Sequence, residues 1–178
     1  VLIIVISLGV LFLAFSRFNF SEDITKSSCY QSILARHTFN LGIFEPGRTY
    51  IPLQCKTEKI CITDKNSNCG FGERTEENVV SNVKVRDLDD SKKKVLETIS
   101  QALYDCHAVL GQGKLDFMPK DFSGNDYCLI CSRISLDENI RKEAGRITYI
   151  ELYRYMQEKK NKQGESYLEF VYGAVDAK

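Results

Sequence analysis

The segment SKKKVLETISQALYDCHAVL, residues Ser91–Leu110, carries the clearest structural pattern in the chain. Its apolar residues recur at intervals of three and four, which predicts an amphipathic helix about 20 residues long. These residues are Val95, Leu96, Ile99, Ala102, Leu103, Cys106, Val109 and Leu110. Asp89 and Asp90 favour a helix start at Ser91, and Gly111 favours a stop. Because such a helix buries its apolar face, we expect a sheet to pack against it.

Several short stretches predict the strands of that sheet. Arg48–Cys55 and Lys59–Thr63 are rich in β-branched residues and are joined by a short polar turn, so they predict a hairpin. Pro52 places the first of these strands toward an edge. Val79–Val85 alternates in polarity, and Tyr127–Leu136 is apolar and β-branched without Gly or Pro. We therefore expect an α+β domain in which these strands form an antiparallel sheet on the long amphipathic helix.

An apolar run opens the sequence. Val1–Phe15 is interrupted only by Ser7 and Gly9, and Val1–Phe18 with a few upstream residues approaches the roughly 20 residues that span a bilayer. Arg17 lies among aromatic residues, as at a membrane interface. We expect an uncleaved N-terminal transmembrane helix. The alternatives are a signal peptide, a buried helix of a soluble domain, and a processed pilin-like helix.

Length and charge limit the organisation of the chain. It has 178 residues, with 24 Lys plus Arg and 24 Asp plus Glu, so the formal charge is zero and gives no electrostatic argument for nucleic acid. We expect a transmembrane helix over residues 1–18, a stalk over 19–28 and a Cys-rich extracytoplasmic α+β domain over 29–178. The expected partners are membrane lipid and other membrane or envelope protein subunits, with homo- or hetero-oligomers both open.

The chain has seven cysteines, which indicate either disulfides or a metal site. Structural zinc usually takes two close cysteine pairs, and only Cys128-Leu-Ile-Cys131 has that spacing. On a strand, residues three apart point to opposite faces, so Cys128 and Cys131 should have different partners. This favours disulfides and an oxidising compartment. Because seven is odd, one cysteine is left over, and Cys29 and Cys69 are the least constrained.

Two disulfides are suggested by position. Cys106 lies on the apolar face of the predicted helix, and we expect it to bridge Cys128 or Cys131 and so staple the helix to a strand. Cys55 and Cys61 face each other across the predicted hairpin if its turn has five residues, and the spacing then permits a bond. The disulfide candidates are therefore Cys55, Cys61, Cys106, Cys128 and Cys131.

Motifs for catalysis are missing from the sequence. It has no Gly-x-Ser-x-Gly, phosphate loop or His-Glu-x-x-His. Cys106 and His107 are adjacent, so on a helix they point about 100° apart and do not form a dyad. His37 has no Cys or carboxylate at an evident metal spacing. We predict no catalytic residue, no metal site and no cofactor.

The C-terminal part carries two local helix signals. Thr148-Tyr-Ile-Glu151 and Ser166-Tyr-Leu-Glu169 both match the capping box, in which a hydroxyl and a glutamate satisfy the first free backbone N–H groups of a helix. Helices should therefore begin at Tyr149 and Tyr167. We expect their tyrosines to serve in core or interface packing.

Three strings of the sequence support a resemblance. ALYDC (Ala102–Cys106), GQGKLDF (Gly111–Phe117) and YCLICSRI (Tyr127–Ile134) resemble a pattern in uncharacterised membrane-anchored archaeal proteins. The similarity covers about a third of the domain. It implies an archaeal protein with a single anchor and one extracytoplasmic domain, and it carries no assigned activity.

Together these observations predict a non-enzymatic, membrane-anchored structural or interaction subunit of a membrane or cell-envelope assembly. One alternative is a pilus-like filament subunit. The other is a thiol-redox or metal-binding protein that uses Cys128 and Cys131, and the reactivity of its thiols would distinguish it.

Overall fold

The structure, a computed structural model, describes residues 21–38, 51–65, 69–71, 79–118 and 129–173. Its elements in chain order are α1 (Ser21–Thr38), β1 (Glu58–Thr63), β2 (Val79–Lys84), a 3₁₀ helix (Leu88–Asp90), α2 (Ser91–Val109), β3 (Ser132–Leu136), α3 (Glu138–Ala144), α4 (Tyr149–Glu158) and α5 (Tyr167–Tyr172). The expected combination of helices, strands and disulfides is confirmed.

The sheet has three strands in the order β2-β1-β3, and both pairings are parallel. Lys59 on the central strand is in register with Val80 on one side and Arg133 on the other. The predicted antiparallel sheet is therefore wrong. The physical reason lies in the connections between the strands. The connection from β1 to β2, residues 64–78, is much longer than a hairpin turn and leaves room for the crossover that parallel neighbours need. Helix α2 is the crossover that returns the chain from β2 to the same end of the sheet before β3.

The predicted hairpin is also wrong. Within its first strand, Arg48–Cys55, the residues that the structure describes from Ile51 onward form no strand. The strand predicted over Tyr127–Leu136 begins only at Ser132. The strand predicted over Val79–Val85 and the helix predicted over Ser91–Leu110 are confirmed to within one residue.

The central strand β1 is buried on both faces. Ile60 and Ile62 pack toward α2 and α3, in a core with Val95 and Ile140. On the opposite face, Cys61 is fully buried and is disulfide-bonded to Cys69 in the following loop. A strand covered on both faces is typical of parallel sheets and needs an apolar run rather than alternation.

The N-terminal predictions concern an anchor and a stalk before the domain. In the part of the chain that the structure describes, no helix combines the length and apolarity needed to cross a bilayer. The transmembrane helix expected over residues 1–18 lies outside the described residues. The boundary expected between a stalk and the domain, at Ser28 and Cys29, lies inside the continuous helix α1.

Helix α2 begins at Ser91 as predicted, although its N-cap Asp90 makes no side-chain capping hydrogen bond, and its predicted C-terminus is confirmed. Helix α2 stops just before Gly111, which has a φ of 75°. The N–H of Gly111 donates to the Ala108 carbonyl, and the N–H of Gln112 donates to the His107 carbonyl. This is the Schellman pattern of a helix C-terminus, which needs a residue in the left-handed region.

The capping box predicted at Thr148 begins α4, and the serine half of the box predicted at Ser166 begins α5. Thr148 accepts the N–H of Glu151, and the Glu151 carboxylate accepts the N–H of Thr148. Ser166 accepts the N–H of Glu169 in the same way. Both helices therefore start where their capping residues predict.

Candidate functional site

A cleft of about 190 Å³ lies at the amino ends of β1 and β3. Its walls come from four parts of the chain: the middle of α1, the segment before β1, the last turns of α2, and the segment before β3. Its apolar lining includes Val109, Leu110, Leu129 and Ile130. The carboxyl-terminal half of α2 reaches this end of the sheet because α2 runs back across it between β2 and β3.

Two of the three disulfides form part of the cleft wall. Cys29–Cys55 joins α1 to the segment before β1, and Cys106–Cys131 joins α2 to the segment before β3. The bonded cysteines are 26 and 25 residues apart in the sequence. Loops of this size give roughly 3 kcal/mol of stabilisation per disulfide, mainly by restricting the unfolded chain. The elements that form the cleft are therefore held together covalently.

An ion-pair network borders the cleft on its inner side. The ammonium of Lys26 lies 2.6 Å from an Asp105 carboxylate oxygen and 3.6 Å from one of Glu58. Both carboxylates have a second donor, since Gln101 donates to Asp105 and Ser81 donates to Glu58. The network joins α1, α2 and β1, and so fixes the relative positions of three of the four walls.

The charge state of Lys26 bears on its chemistry. Burial lowers the pKa of Lys26, whereas hydrogen bonds and the charges of Asp105 and Glu58 raise it. The upward effects together are larger, so the pKa of Lys26 lies above the ordinary 10.5. A lysine nucleophile needs a depressed pKa to be neutral near pH 7. Lys26 is therefore held as a cation between the carboxylates of Asp105 and Glu58.

The segment before β3 lies against the segment before β1. The Thr57 hydroxyl donates to the Ile130 carbonyl at 2.7 Å, and the Glu58 N–H donates to the Cys131 carbonyl at 2.8 Å. These bonds hold the backbone while the apolar side chains stay accessible: Leu129 is 38% exposed and Ile130 is 65% exposed. The cleft thus has an apolar rim in a defined conformation.

The structure pairs the predicted cysteines in part as expected. Cys106 is bonded to Cys131, one of its two expected partners, and Cys128 lies outside the described residues. Cys55 and Cys61 are not bonded to each other: Cys55 pairs with Cys29, and Cys61 pairs with Cys69. The bond that the spacing permitted between Cys55 and Cys61 is absent because it depended on the hairpin. Cys29 and Cys69, predicted to be the least constrained cysteines, are both disulfide-bonded.

The two histidines have structural partners. His107 packs edge-on against Phe170, with 5.6 Å between ring centroids, while the adjacent Cys106 is in a disulfide. His37 accepts a hydrogen bond from the Asp116 N–H through Nδ1. Over the described ranges, no group of three or more His, Cys, Asp or Glu residues is arranged to hold a metal ion.

Sequence reasoning named three cysteines that line the cleft, Cys55, Cys106 and Cys131, but it missed the ion-pair network and the apolar rim. Lys26 and Asp105 are 79 positions apart, and no local pattern connects them. Leu129 and Ile130 lie in a stretch predicted to be strand, where alternating side chains would be buried on one face. The one signal in the sequence for the ion-pair network was that Asp105 directly precedes Cys106, a predicted disulfide cysteine.

Comparison of the chain with protein-family models, with curated proteins and with solved structures finds no match in any of the three.

Proposed function

We propose that this protein is a non-enzymatic interaction module of an extracytoplasmic assembly, and that it binds another protein subunit through the cleft at the amino ends of β1 and β3. The observation that carries the proposal is the combination of covalently fixed walls with accessible apolar side chains. A binding site that is already ordered loses little conformational entropy when a partner arrives.

The size of the cleft favours a side chain as its occupant. Pockets for small molecules and cofactors usually enclose about 300–1,000 Å³, and this one encloses about 190 Å³. One large apolar side chain of a partner protein fits this space, and protein interfaces commonly centre on such an anchor.

The exposure of Ile130 supports the same conclusion. Burying a large aliphatic side chain contributes about 1.5–3 kcal/mol, and at 65% exposure most of this contribution is unused in the isolated domain. A partner that covers Ile130 and Leu129 would obtain it. The hydrogen bonds of Thr57 and Glu58 hold this rim in place before binding.

The disulfides support a location outside the cytoplasm, because such bonds persist in oxidising compartments. They also weigh against the thiol-redox alternative that uses Cys128 and Cys131, since Cys131 is bonded to Cys106. A pair that cycles would need Cys131 to be available.

Site-specific photo-crosslinking tests the proposal. A photoreactive amino acid replaces Ile130 in the full chain, and in a matched control it replaces Ile150 on α4, which is 62% exposed against 65% for Ile130. Expressed in the cells that make the protein, the variant at position 130 should give one discrete protein adduct that the variant at position 150 does not give.

A second substitution ties the adduct to the cleft. Leu129→Asp should abolish crosslinking from position 130. Leu103→Asp should leave it intact, because Leu103 is 37% exposed against 38% for Leu129 but does not line the cleft. The proposal is contradicted if positions 130 and 150 give the same adducts, or if Leu129→Asp has no effect.

A further inference from the structure

The outer face of the sheet, opposite to α2, carries cations. It is covered at Cys61 and Thr63 and is exposed at Lys84 and Arg133. Strand alternation and register place on this face the side chains of Lys59, Cys61, Thr63, Val80, Asn82, Lys84, Arg133 and Ser135. Three of these residues are cations and none is acidic. Among the described residues, no carboxylate forms an ion pair with Lys59, Lys84 or Arg133. The chain as a whole has no net charge, so this face concentrates one sign locally.

Two of the cations lie directly opposite each other. Lys59 on β1 is in register with Arg133 on β3, and like charges in such a pair destabilise a sheet. The ring of Phe71 partly offsets this: its centroid is 6.0 Å from the Lys59 ammonium and 5.6 Å from the Arg133 guanidinium. Phe71 is held there by the Cys61–Cys69 disulfide two residues before it.

A like-charge pair that a fold supports with an aromatic ring breaks a local rule of sheet design, and such violations are typical of functional sites. A cation over an aromatic face keeps its charge and its remaining hydrogen-bond donors. An anionic group placed over Lys59 and Arg133 would convert the repulsion between them into attraction for both.

The cationic pair is continuous with the cleft along the chain. Glu58 and Ser132 line the cleft, and the next residues of the same strands are Lys59 and Arg133. Adjacent strand residues are about 3.3 Å apart along the strand and point to opposite faces. An extended peptide that leaves the cleft around the amino ends of β1 and β3 therefore arrives at the cationic pair within a few residues.

We propose that the partner segment is acidic: it inserts one large apolar side chain into the cleft and places the carboxylates that follow over Lys59 and Arg133. This inference rests on the proposed function, because it takes the cleft as the anchor site. Charge complementarity carries it, since the outer face offers paired cations and no described acid beside them.

Binding of synthetic peptides to the full-length oxidised chain tests the proposal by fluorescence anisotropy. The acidic anchor probe is one phenylalanine followed by a run of glutamates. In the neutral anchor probe glutamine replaces glutamate, in the basic anchor probe lysine replaces it, and in the acidic alanine probe alanine replaces phenylalanine. We expect the acidic anchor probe to bind about tenfold more tightly than the neutral one, and the difference to shrink at high salt.

Charge reversal sharpens the test. Arg133→Glu should weaken binding of the acidic anchor probe about tenfold and improve binding of the basic anchor probe. Because Arg133 is exposed, the substitution leaves the core unchanged, and the gained preference for the basic probe shows that the variant is folded. Lys162→Glu, an equal charge change in the loop between α4 and α5, should have no effect on either probe.

The possible outcomes separate this inference from the proposed function. Equal binding of the acidic and neutral anchor probes, with no binding of the alanine probe, would keep the cleft and overturn the acidic partner. Equal binding of the acidic anchor and alanine probes would indicate a polyanion surface independent of the cleft, and would also overturn the inference. Absence of binding by every phenylalanine probe would contradict the cleft itself.

Discussion

The amino edge of the sheet, meaning the cleft at the amino ends of β1 and β3, and the C-terminal helices are held together in different ways. The amino edge depends on two disulfides with partners 26 and 25 residues apart and on an ion pair between residues 79 apart. Helices α4 and α5 begin at local capping residues and pack through Met156, Tyr167 and Leu168. The described part of these helices contains no cysteine. The cleft is thus fixed by links between residues distant in the sequence, whereas α4 and α5 depend on local caps, on packing and on the ion pair of Lys92 with Glu151.

The largest effect should come from removing a disulfide of the cleft. The double variant Cys106→Ala/Cys131→Ala should lose about 3 kcal/mol in the free energy of unfolding, measured by urea denaturation without reductant. With a strong reductant present, the variant and the native sequence should be nearly equally stable.

Thiol titration provides the control for this prediction. Of the seven cysteines, six are in disulfides, so the denatured, non-reduced protein should show no more than one thiol per chain. A count of three or more would mean that at least one of these bonds is absent from the native protein.

The next largest effect is expected at the end of α2. At Gly111, with φ 75°, an added Cβ would overlap the side chain of Leu115, so Gly111→Ala should cost about 2 kcal/mol in the free energy of unfolding. Gly113 has a similar φ of 68° but nothing within 4 Å of an added Cβ. Gly113→Ala should therefore cost only about 1 kcal/mol, as measured by thermal or urea unfolding. Equal costs for the two variants would mean that the overlap with Leu115 is relieved by rearrangement.

A smaller effect on the free energy of unfolding is expected from the capping box at the start of α4. Thr148→Ala removes the side-chain acceptor for the Glu151 N–H and should lower the free energy of unfolding by about 1 kcal/mol. Thr148→Ser keeps the hydroxyl and should lose much less. If both variants lose the same amount, the methyl group of Thr148, rather than its hydroxyl, is what stabilises α4.

The smallest effects are expected in the pH dependence of stability, and they have opposite signs in the two regions. The side-chain hydrogen bond from Lys92, helped by Thr148, lowers the pKa of Glu151 from 4.5 to about 2. The contribution of ionised Glu151 to the free energy of unfolding is complete above pH 4.5 and is lost as the pH falls toward about 2. Lys92→Met should reduce this acid-side loss, measured as unfolding free energy against pH.

At the amino edge, the corresponding change lies on the alkaline side. The pKa of Lys26 is raised above 10.5. The contribution of charged Lys26 to the free energy of unfolding is therefore complete below pH 10.5 and is lost as the pH rises through the raised pKa. Lys26→Met should flatten the alkaline limb of the plot of unfolding free energy against pH. An alkaline limb equal to that of the native sequence would contradict this prediction.

Elements with a local signature were predictable from the sequence. The 3.6-residue period predicted α2, Gly111 predicted its end, and the hydroxyl–glutamate pairs at Thr148 and Ser166 predicted α4 and α5. In each case the interacting groups are at most a few residues apart, so the pattern is written in one short stretch of sequence.

The direction of the strands could have been inferred but was not. A long amphipathic helix between two strand signals, Val79–Val85 and Tyr127–Leu136, is the pattern of a parallel βαβ crossover. The short turn between Arg48–Cys55 and Lys59–Thr63 suggested a hairpin instead. Burial of β1 on both faces also makes its apolar run consistent with a parallel sheet.

The candidate site was largely beyond sequence reasoning. Lys26, Glu58 and Asp105 come from three elements that meet only after the chain has folded. The pairing of Cys106 with one of two candidates was inferred from the helix face. The partners of Cys55 and Cys61 depend on tertiary geometry that spacing does not contain.

The connectivity of the three disulfides has a consequence for biogenesis. Read along the chain, the bonds 29–55, 61–69 and 106–131 neither cross nor enclose one another. If the polypeptide is oxidised while it emerges from a translocation channel, the first cysteine of each of the first two pairs, Cys29 and Cys61, meets its native partner as the next thiol to appear. Only Cys106 first meets another candidate, Cys128, three positions before Cys131. Enzyme-catalysed reshuffling during maturation is therefore expected to act on the third bond alone.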